Sequence, residues 1–417
     1  MCTASDLPAA EDPDELLVEL KPTRPARLYG SAGCETWSAC FSPDGSRFAW
    51  SLGHGVVKVL PWPLPLPPPP SPPLSCDRNA EAPGSSEEKT LQCEQNVWGM
   101  AFGPQPANRT RAEGSCGVTE DLLLATGLTN GVIKVWLVST GRLMFSLTGH
   151  TSVVRDLAFA PNGSLTLVSA SRDKTLRVWD LSMKGTPSHV LTGPKNWVFK
   201  CSISPDSSMM ASVCNLDSKA YLWSMRSYTL IRNLKYDHER TMVSCDFSLD
   251  GALLAIGSFH STTGWWLDLW DPYTADQLTR VEDCDVCVYR KDNLLTALSF
   301  SPVNLQLAFK DYRALQVWDM EQDKLVLEAD HNRVSGLCCA FHPQGSAIAT
   351  GCRDGHVKFW RVPRLVPSLR NLCRTALRHS VSTFQVTALP LPKKILEFLT
   401  YRDIAKKKIL RCSEHYR

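Results

Sequence analysis

The chain has 417 residues, of which 43% are hydrophobic and 21% charged, a composition of packed domains rather than of a disordered chain. Its formal charge of +3 is too small to single out nucleic acid or a membrane surface as a partner. The N-terminus lacks a charged-then-apolar leader, and no run approaches the roughly 18 apolar residues that span a bilayer, so a soluble intracellular protein, cytoplasmic or nuclear, is expected.

Residues 1–29 form an acidic N-terminal segment holding one apolar stretch, ELLVEL at 15–20. Short strand-like runs begin near residue 30. The first two are separated by PWPLPLPPPPSPPLSCDRNAEAPGSSEEK at 61–89. Repeated prolines favour polyproline II and cannot support an interior strand ladder. The tract therefore reads as a solvated insertion, with an SH3 or WW ligand as the alternative. A second insertion, around 103–121, splits the next unit, and both loops are expected to be mobile.

The clearest unit, GHTSVVRDLAFAPNGSLTLVSASRDKTLRVWD, occupies 149–180. Its punctuation recurs along the chain. An apolar residue followed by a turn stands at Phe41, Phe102, Phe159, Ile203, Phe247, Phe300 and Phe341. Closing strands end at Trp136, Trp179, Trp223, Trp270, Trp318 and Trp360, at spacings of 43, 44, 47, 48 and 42 residues. In the first unit, Leu60 stands where the others carry tryptophan. Alternating runs such as LTLVSAS and TLRVWD suit short strands, and PNG and RDK suit the turns between them.

A period of this length, with Gly-His and Trp-Asp punctuation, resembles the WD-repeat family. The resemblance implies an all-β, seven-bladed propeller over residues 30–361. It also implies a network of buried polar residues inside a blade. His150, Ser169, Asp173 and Trp179 match that network, and His331, Thr350, Asp354 and Trp360 repeat its spacing. A Ser-His-Asp set invites a hydrolase reading, but its recurrence with tryptophan at blade spacing marks these residues as structural. Units five and six depart from the pattern: the stretch at 257–271 carries about three extra residues, and Tyr312 replaces the expected aspartate. Ring closure requires an N-terminal strand to complete the last blade, and either ELLVEL or residues 27–29 would serve. Trp37, Trp98, Arg155 and Phe199 share one position relative to the repeat turn. They read as packing at the start of an inner strand, and no client-binding residue is assigned.

Sixteen scattered cysteines, many in apolar strand-like runs, read as reduced and buried. Cys284 and Cys287 form the one Cys-x-x-Cys, with no second pair at zinc spacing, so no metal or other cofactor is expected.

The tail changes character. On a helix over 368–381, Leu369, Leu372, Cys373, Ala376 and Leu377 form one apolar stripe, with Ser368 as N-cap after Pro367. Such a stripe suits another protein's groove or, equally, packing beneath the propeller. The pattern Ser-Leu-x-x-x-Cys-x-x-x-Leu resembles a BC box, and LPLP followed by KKILEFLTY resembles a cullin box. Together, over 364–402, they resemble a small α-helical SOCS box. A propeller joined to that module is the architecture of the WD-repeat and SOCS-box-containing family, which SASRDKTLRVWD and LWSMRSYTLIRNL also resemble.

The resemblance implies a non-catalytic substrate-recognition subunit of a ubiquitin ligase. Elongin B and Elongin C would be bound through Leu369, Leu372, Cys373 and Leu377. Cullin-5, with its RING-box protein, would be bound through Leu389, Pro390, Leu391 and Pro392. Client proteins would sit on the propeller. The alternative is a WD-repeat scaffold without ligase association. Residues 403–417 are expected to be a solvated basic tail, with a terminal helix as the other reading.

Overall fold

The computed structural model describes residues 16–21, 35–64, 88–103, 122–183, 186–260, 264–282, 295–310, 314–330, 336–363 and 365–404. The prolines from 65 onward, the second insertion from 104, Cys284, Cys287, Tyr312, His331, residues 27–29 and the tail past 404 lie outside the described residues.

Seven antiparallel four-strand arrays succeed one another in chain order. The fourth and fifth share one long strand, Leu230–Phe247, and so merge into a single seven-stranded sheet. Its first half pairs with Asp217–Ser224 and its second half with Leu254–His260. First strands of successive arrays contact one another in turn, and Gly336–Phe341 contacts Ala39–Phe41, so the ring is closed. The strand that completes the seventh array is Leu16–Leu20, antiparallel to Val357–Arg361, with Leu20 opposite Val357 and Leu16 opposite Trp360.

Position in the array explains the strand sequences. Second strands lie between two pairing partners and between two neighbouring arrays. Leu123–Leu128, Met209–Cys214 and Ala347–Cys352 are accordingly buried at every position. The outer strand Arg142–Leu147 is largely exposed and reads as mixed. Cores form between adjacent arrays: Val168, Ala170, Leu176 and Val178 of the third meet Val198, Met210, Tyr221 and Trp223 of the fourth.

In three arrays, the first, fourth and fifth, the first strand ends in a turn built by one aspartate. Asp44, Asp206 and Asp250 accept from the amide two residues on (Ser46, Ser208 and Ala252, at 3.0–3.1 Å) and from the serine hydroxyl two residues back. Gly45 and Gly251 follow in the left-handed region, at φ 72 and 66, which costs glycine nothing. These turns, with those between third and fourth strands, lie at one end of the ring. The turns between second and third strands, and the entries into first strands, lie at the other.

Three helices follow the last array: α1 (Leu369–Ser380), α2 (Thr383–Thr387) and α3 (Lys393–Leu399). Tyr401 and Ile404 join the core of arrays five and six, beside Ala252, Leu253, Phe300, Leu307 and Met320. The packed chain thus runs past the expected end at 402. Asp403 also pairs with Arg374, so the first residues assigned to a solvated tail are built into the fold.

Nine of the cysteines lie among the described residues. Burial pushes the thiol of Cys40 up to about 12 and that of Cys93 to about 11. Cys373 alone of these nine is exposed. No helix among the described residues is long and apolar enough to cross a membrane.

Candidate docking surface

A helix against a folded body ordinarily turns its apolar stripe inward. In α1 the arrangement is reversed. Leu369 is 77% exposed and Leu372 50%, and Cys373 and Ala376 are exposed with them. The face turned to the protein carries Asn371, Arg374 and Arg378.

Aromatic packing makes this inversion stable. The Arg374 guanidinium, only 3% exposed, sits 4.2 Å from the Phe398 ring centre and 4.0 Å from that of Tyr401. It donates to the Phe398 carbonyl at 3.2 Å and to Asn371 Oδ1. Burial and the Asp250 charge push the Tyr401 phenol well up, so it remains the donor in its bond to Asp250 Oδ2. Arg378 donates to Thr383 Oγ1 at 2.7 Å, and that hydroxyl lies 3.4 Å from Asp271 Oδ1. At the helix start, Ser368 accepts from the Asn371 amide, and its own amide donates to Glu321 at 3.1 Å. A polar seam from Glu321 to Asp271 thus holds α1 against arrays five and six.

The other predicted residues divide by burial. Leu377 is half-buried against Val386, Phe398 and Leu399. Between α1 and α3 runs an apolar groove of about 460 Å³, lined by Cys373, Leu377, Ile395 and Phe398 and flanked by Arg370 and Lys394. In the Leu-Pro-Leu-Pro step, Leu389, Pro390 and Pro392 are exposed, whereas Leu391 turns into the small core with Val386 and Phe398. Pro392 is the N-cap of α3. Phe384 on α2, 55% exposed, was not anticipated.

Within the third array, His150 bridges Asp173 (2.6 Å) and Ser169 (2.7 Å), and the Trp179 indole donates to Ser169 at 2.9 Å. Both His150 and Ser169 are buried, so no cleft opens onto them. In the seventh array Trp360 donates to Thr350 at 3.1 Å and Asp354 accepts from the His356 amide at 3.1 Å, while His331 lies outside the described residues. Sequence reasoning missed three variants. Trp136 donates to Thr126 and Trp223 to Ser212, both visible as hydroxyls ten or eleven residues before tryptophan. Trp270 donates instead to Tyr236, on the outer strand of the preceding array, at 3.0 Å. No group of histidine, cysteine and carboxylate side chains among the described residues could hold a metal ion.

Comparison with known proteins matches the WD domain, G-beta repeat family over residues 141–180, 185–224 and 324–361, and the SOCS box family over 365–400. The chain is 42% identical over 399 residues to WD repeat and SOCS box-containing protein 1 of Homo sapiens, covering 89% of this chain and 92% of that one. It is 40% identical over 421 residues to the protein of that name from Xenopus tropicalis, covering 92% and 95%. A guanine nucleotide-binding protein subunit beta of Arabidopsis thaliana is 27% identical over 283 residues, 63% of this chain and 69% of that one. With a closed ring of repeats, a helical module joined to it and identity of this extent, the chain belongs to the family of WD repeat and SOCS box-containing proteins.

Proposed function

We propose that the chain is the client-recognition subunit of a cullin-RING ubiquitin ligase. The C-terminal module docks Elongin B and Elongin C together with cullin-5 and its RING-box protein, and the propeller holds the client. The observation that carries this reading is the inverted helix α1, with Leu369, Leu372 and Cys373 facing outward while its arginines are buried. Burying a leucine is worth about 1.5–3 kcal/mol, so exposing such a row is stable in an assembly that covers it. The exposed Leu389-Pro390 step lies beyond the groove and suits a second partner.

The chain contributes proximity. Ubiquitin passes from a conjugating enzyme on the RING subunit to a client lysine, and this protein holds that lysine within reach. The sealed His150–Ser169–Asp173 set has no part in the chemistry. The test is reconstitution of the purified chain with Elongin B/C, then with cullin-5 and its RING-box protein. A stable complex of all five chains is expected. Failure to bind Elongin B/C would leave a propeller scaffold whose tail serves another partner.

A further inference from the structure

At the end of the ring opposite α1–α3, four successive arrays bring together Trp37, Trp98, Arg155, Arg172, Trp197 and Phe199. The opposition follows from topology. The module binds the turn at Asp250 and the turns at Asp271, Asp276 and Glu321, whereas these six residues lie at first-strand entries and in one second-to-third-strand turn.

The Trp37 and Trp98 ring centres are 4.4 Å apart. Arg155 Cζ lies 4.6 Å from the centre of Trp98, 5.1 Å from Phe199 and 5.5 Å from Trp37. Arg172 Cζ lies 5.0 Å from Trp98 and 4.9 Å from Trp197. A bond from the Trp98 indole to Thr129 Oγ1, at 2.9 Å, fixes the shared ring. Gly99 permits the approach of the second and third arrays, since a Cβ there would fall 2.8 Å from Asp156 Cα.

Among the described residues neither guanidinium has an ion-pair partner, and the Nε of each is buried without a hydrogen-bond acceptor. The adjacent carboxylate, Asp156, is engaged by Lys200 and the Cys201 amide, each at 3.0 Å. Burial, then the charge of Arg172, lowers Arg155 to about 10, so it is still a cation at neutral pH. Two like charges therefore share one indole with no anion between them. Trp197, 41% exposed, flanks them with open apolar surface. Stacking occupies the faces of a guanidinium and leaves its N–H edge for a planar acceptor, which a carboxylate meets with two parallel bonds.

We propose that this rim is the client-recognition surface and takes an acidic peptide segment, with a carboxylate between Arg155 and Arg172 and an apolar neighbour on Trp197. The assignment rests on the chain being a client receptor.

The experiment is selection of a random 12-residue phage-displayed peptide library on the full-length chain. Fluorescence polarisation then follows a labelled synthetic copy of the most enriched sequence. Enrichment of Asp or Glu beside an apolar residue is expected. A Glu→Gln copy of the peptide should bind about tenfold to a hundredfold more weakly, as loss of a charge-assisted hydrogen bond predicts. Arg155→Met and Arg172→Met should show the same loss, with no further effect of Glu→Gln on the double variant, and Arg155→Lys should recover part of it. Arg172 stands in a turn, so its variant tests the idea even if Arg155→Met fails to fold.

Selected peptides without acidic preference, the absence of any selected peptide, or binding unchanged by Arg172→Met would overturn the proposal. Tighter binding of a phosphoserine copy than of the Glu copy would overturn the carboxylate. The variant Leu369→Glu/Cys373→Glu should bind the peptide normally. A wild-type chain that binds acidic peptide but not Elongin B/C would overturn the ligase reading and leave this one standing.

Discussion

Tyr401 donates a 2.5 Å hydrogen bond to Oδ2 of Asp250, joining the residue just past α3 to the first turn of the fifth array, 151 positions earlier in the chain. Asp250 also builds that turn, accepting from Ser248 and the Ala252 amide. One carboxylate therefore serves both the propeller and its attachment to the C-terminal module.

Removing the Tyr401 hydroxyl deprives a buried carboxylate oxygen of its donor, and hydrogen bonds to charged groups contribute about 1.5–3 kcal/mol. Tyr401→Phe is expected to lose stability of that order in urea unfolding. Limited proteolysis should then cut first within 363–404, while Elongin capture persists, because the exposed stripe is untouched. Protection of that segment equal to wild type would show that Ile404 and Arg374 hold the module without the bond.

The network in the third array makes a pH prediction. Burial acts to raise the Asp173 carboxyl, but hydrogen bonds from His150 and Thr175, with the His150 charge, outweigh it and hold it well below the usual carboxylate range. A depressed carboxyl stabilises the fold above its unfolded value near 3.8 and loses that contribution as pH falls toward the lower folded value. Asp173→Asn should therefore be less stable than wild type at pH 6. The gap should narrow below about pH 4, where the unfolded carboxyl protonates. Urea midpoints across pH 3–7 check this, and a gap that widens on acidification would contradict the sign.

Strand Leu16–Leu20 covers the edge of Val357–Arg361, and Glu19 meets His356 at 2.9 Å. Removing residues 1–21 leaves one row of backbone groups unpaired on that edge, and exposed edges recruit other chains. A lower thermal midpoint and concentration-dependent association in light scattering are expected. A monomeric truncation of unchanged midpoint would show that the seventh array closes without its fourth strand.

The repeats were legible because tryptophans and turn residues punctuate them at a nearly constant interval. The shared strand Leu230–Phe247 was not, since its middle, Lys235 to Arg240, carries charges that read as a loop. The stripe on α1 could be read, but its direction could not. Polar residues are expected outward, and that rule fails for Arg374 because Phe398 and Tyr401, more than twenty residues later, clamp it. Helix α2, five residues long, is too short for periodicity to register. The acceptor of Trp270 escaped because it lies on a neighbouring array. The rim at Arg155 read as packing, since spacing reveals shared position but not how rings surround a cation.

Charge placed on the outward face of α1 should separate docking from folding. Leu369→Glu/Cys373→Glu replaces two exposed side chains on a helix whose buried face is Asn371, Arg374 and Arg378. Loss of Elongin B/C from a co-purification, with an unfolding midpoint equal to wild type, is expected. Retained capture by the folded variant would remove α1 as the contact.

The Leu-Pro-Leu-Pro step tests which ligase arm is selected, and burial divides it into two experiments. Leu389 and Pro390 are exposed, so Leu389→Ala/Pro390→Ala leaves the module's small core intact. If this surface reads cullin-5, that variant should lose cullin-5 binding and client ubiquitination yet keep Elongin B/C. Leu391 instead packs with Val386, Phe398 and Leu399. Truncating a fully buried leucine costs about 2–5 kcal/mol and a half-buried one such as Leu391 less, so Leu391→Ala should loosen α1 against α3 and weaken both partners together. Pro392, with its fixed φ and no backbone donor, sets the start of α3 and so the angle between the step and Ile395. Both affinities must be measured on each variant by the same titration. Unchanged cullin-5 affinity in Leu389→Ala/Pro390→Ala would reduce the step to an elbow; equal loss of both partners there would mean that Leu389 and Pro390 only hold the module together.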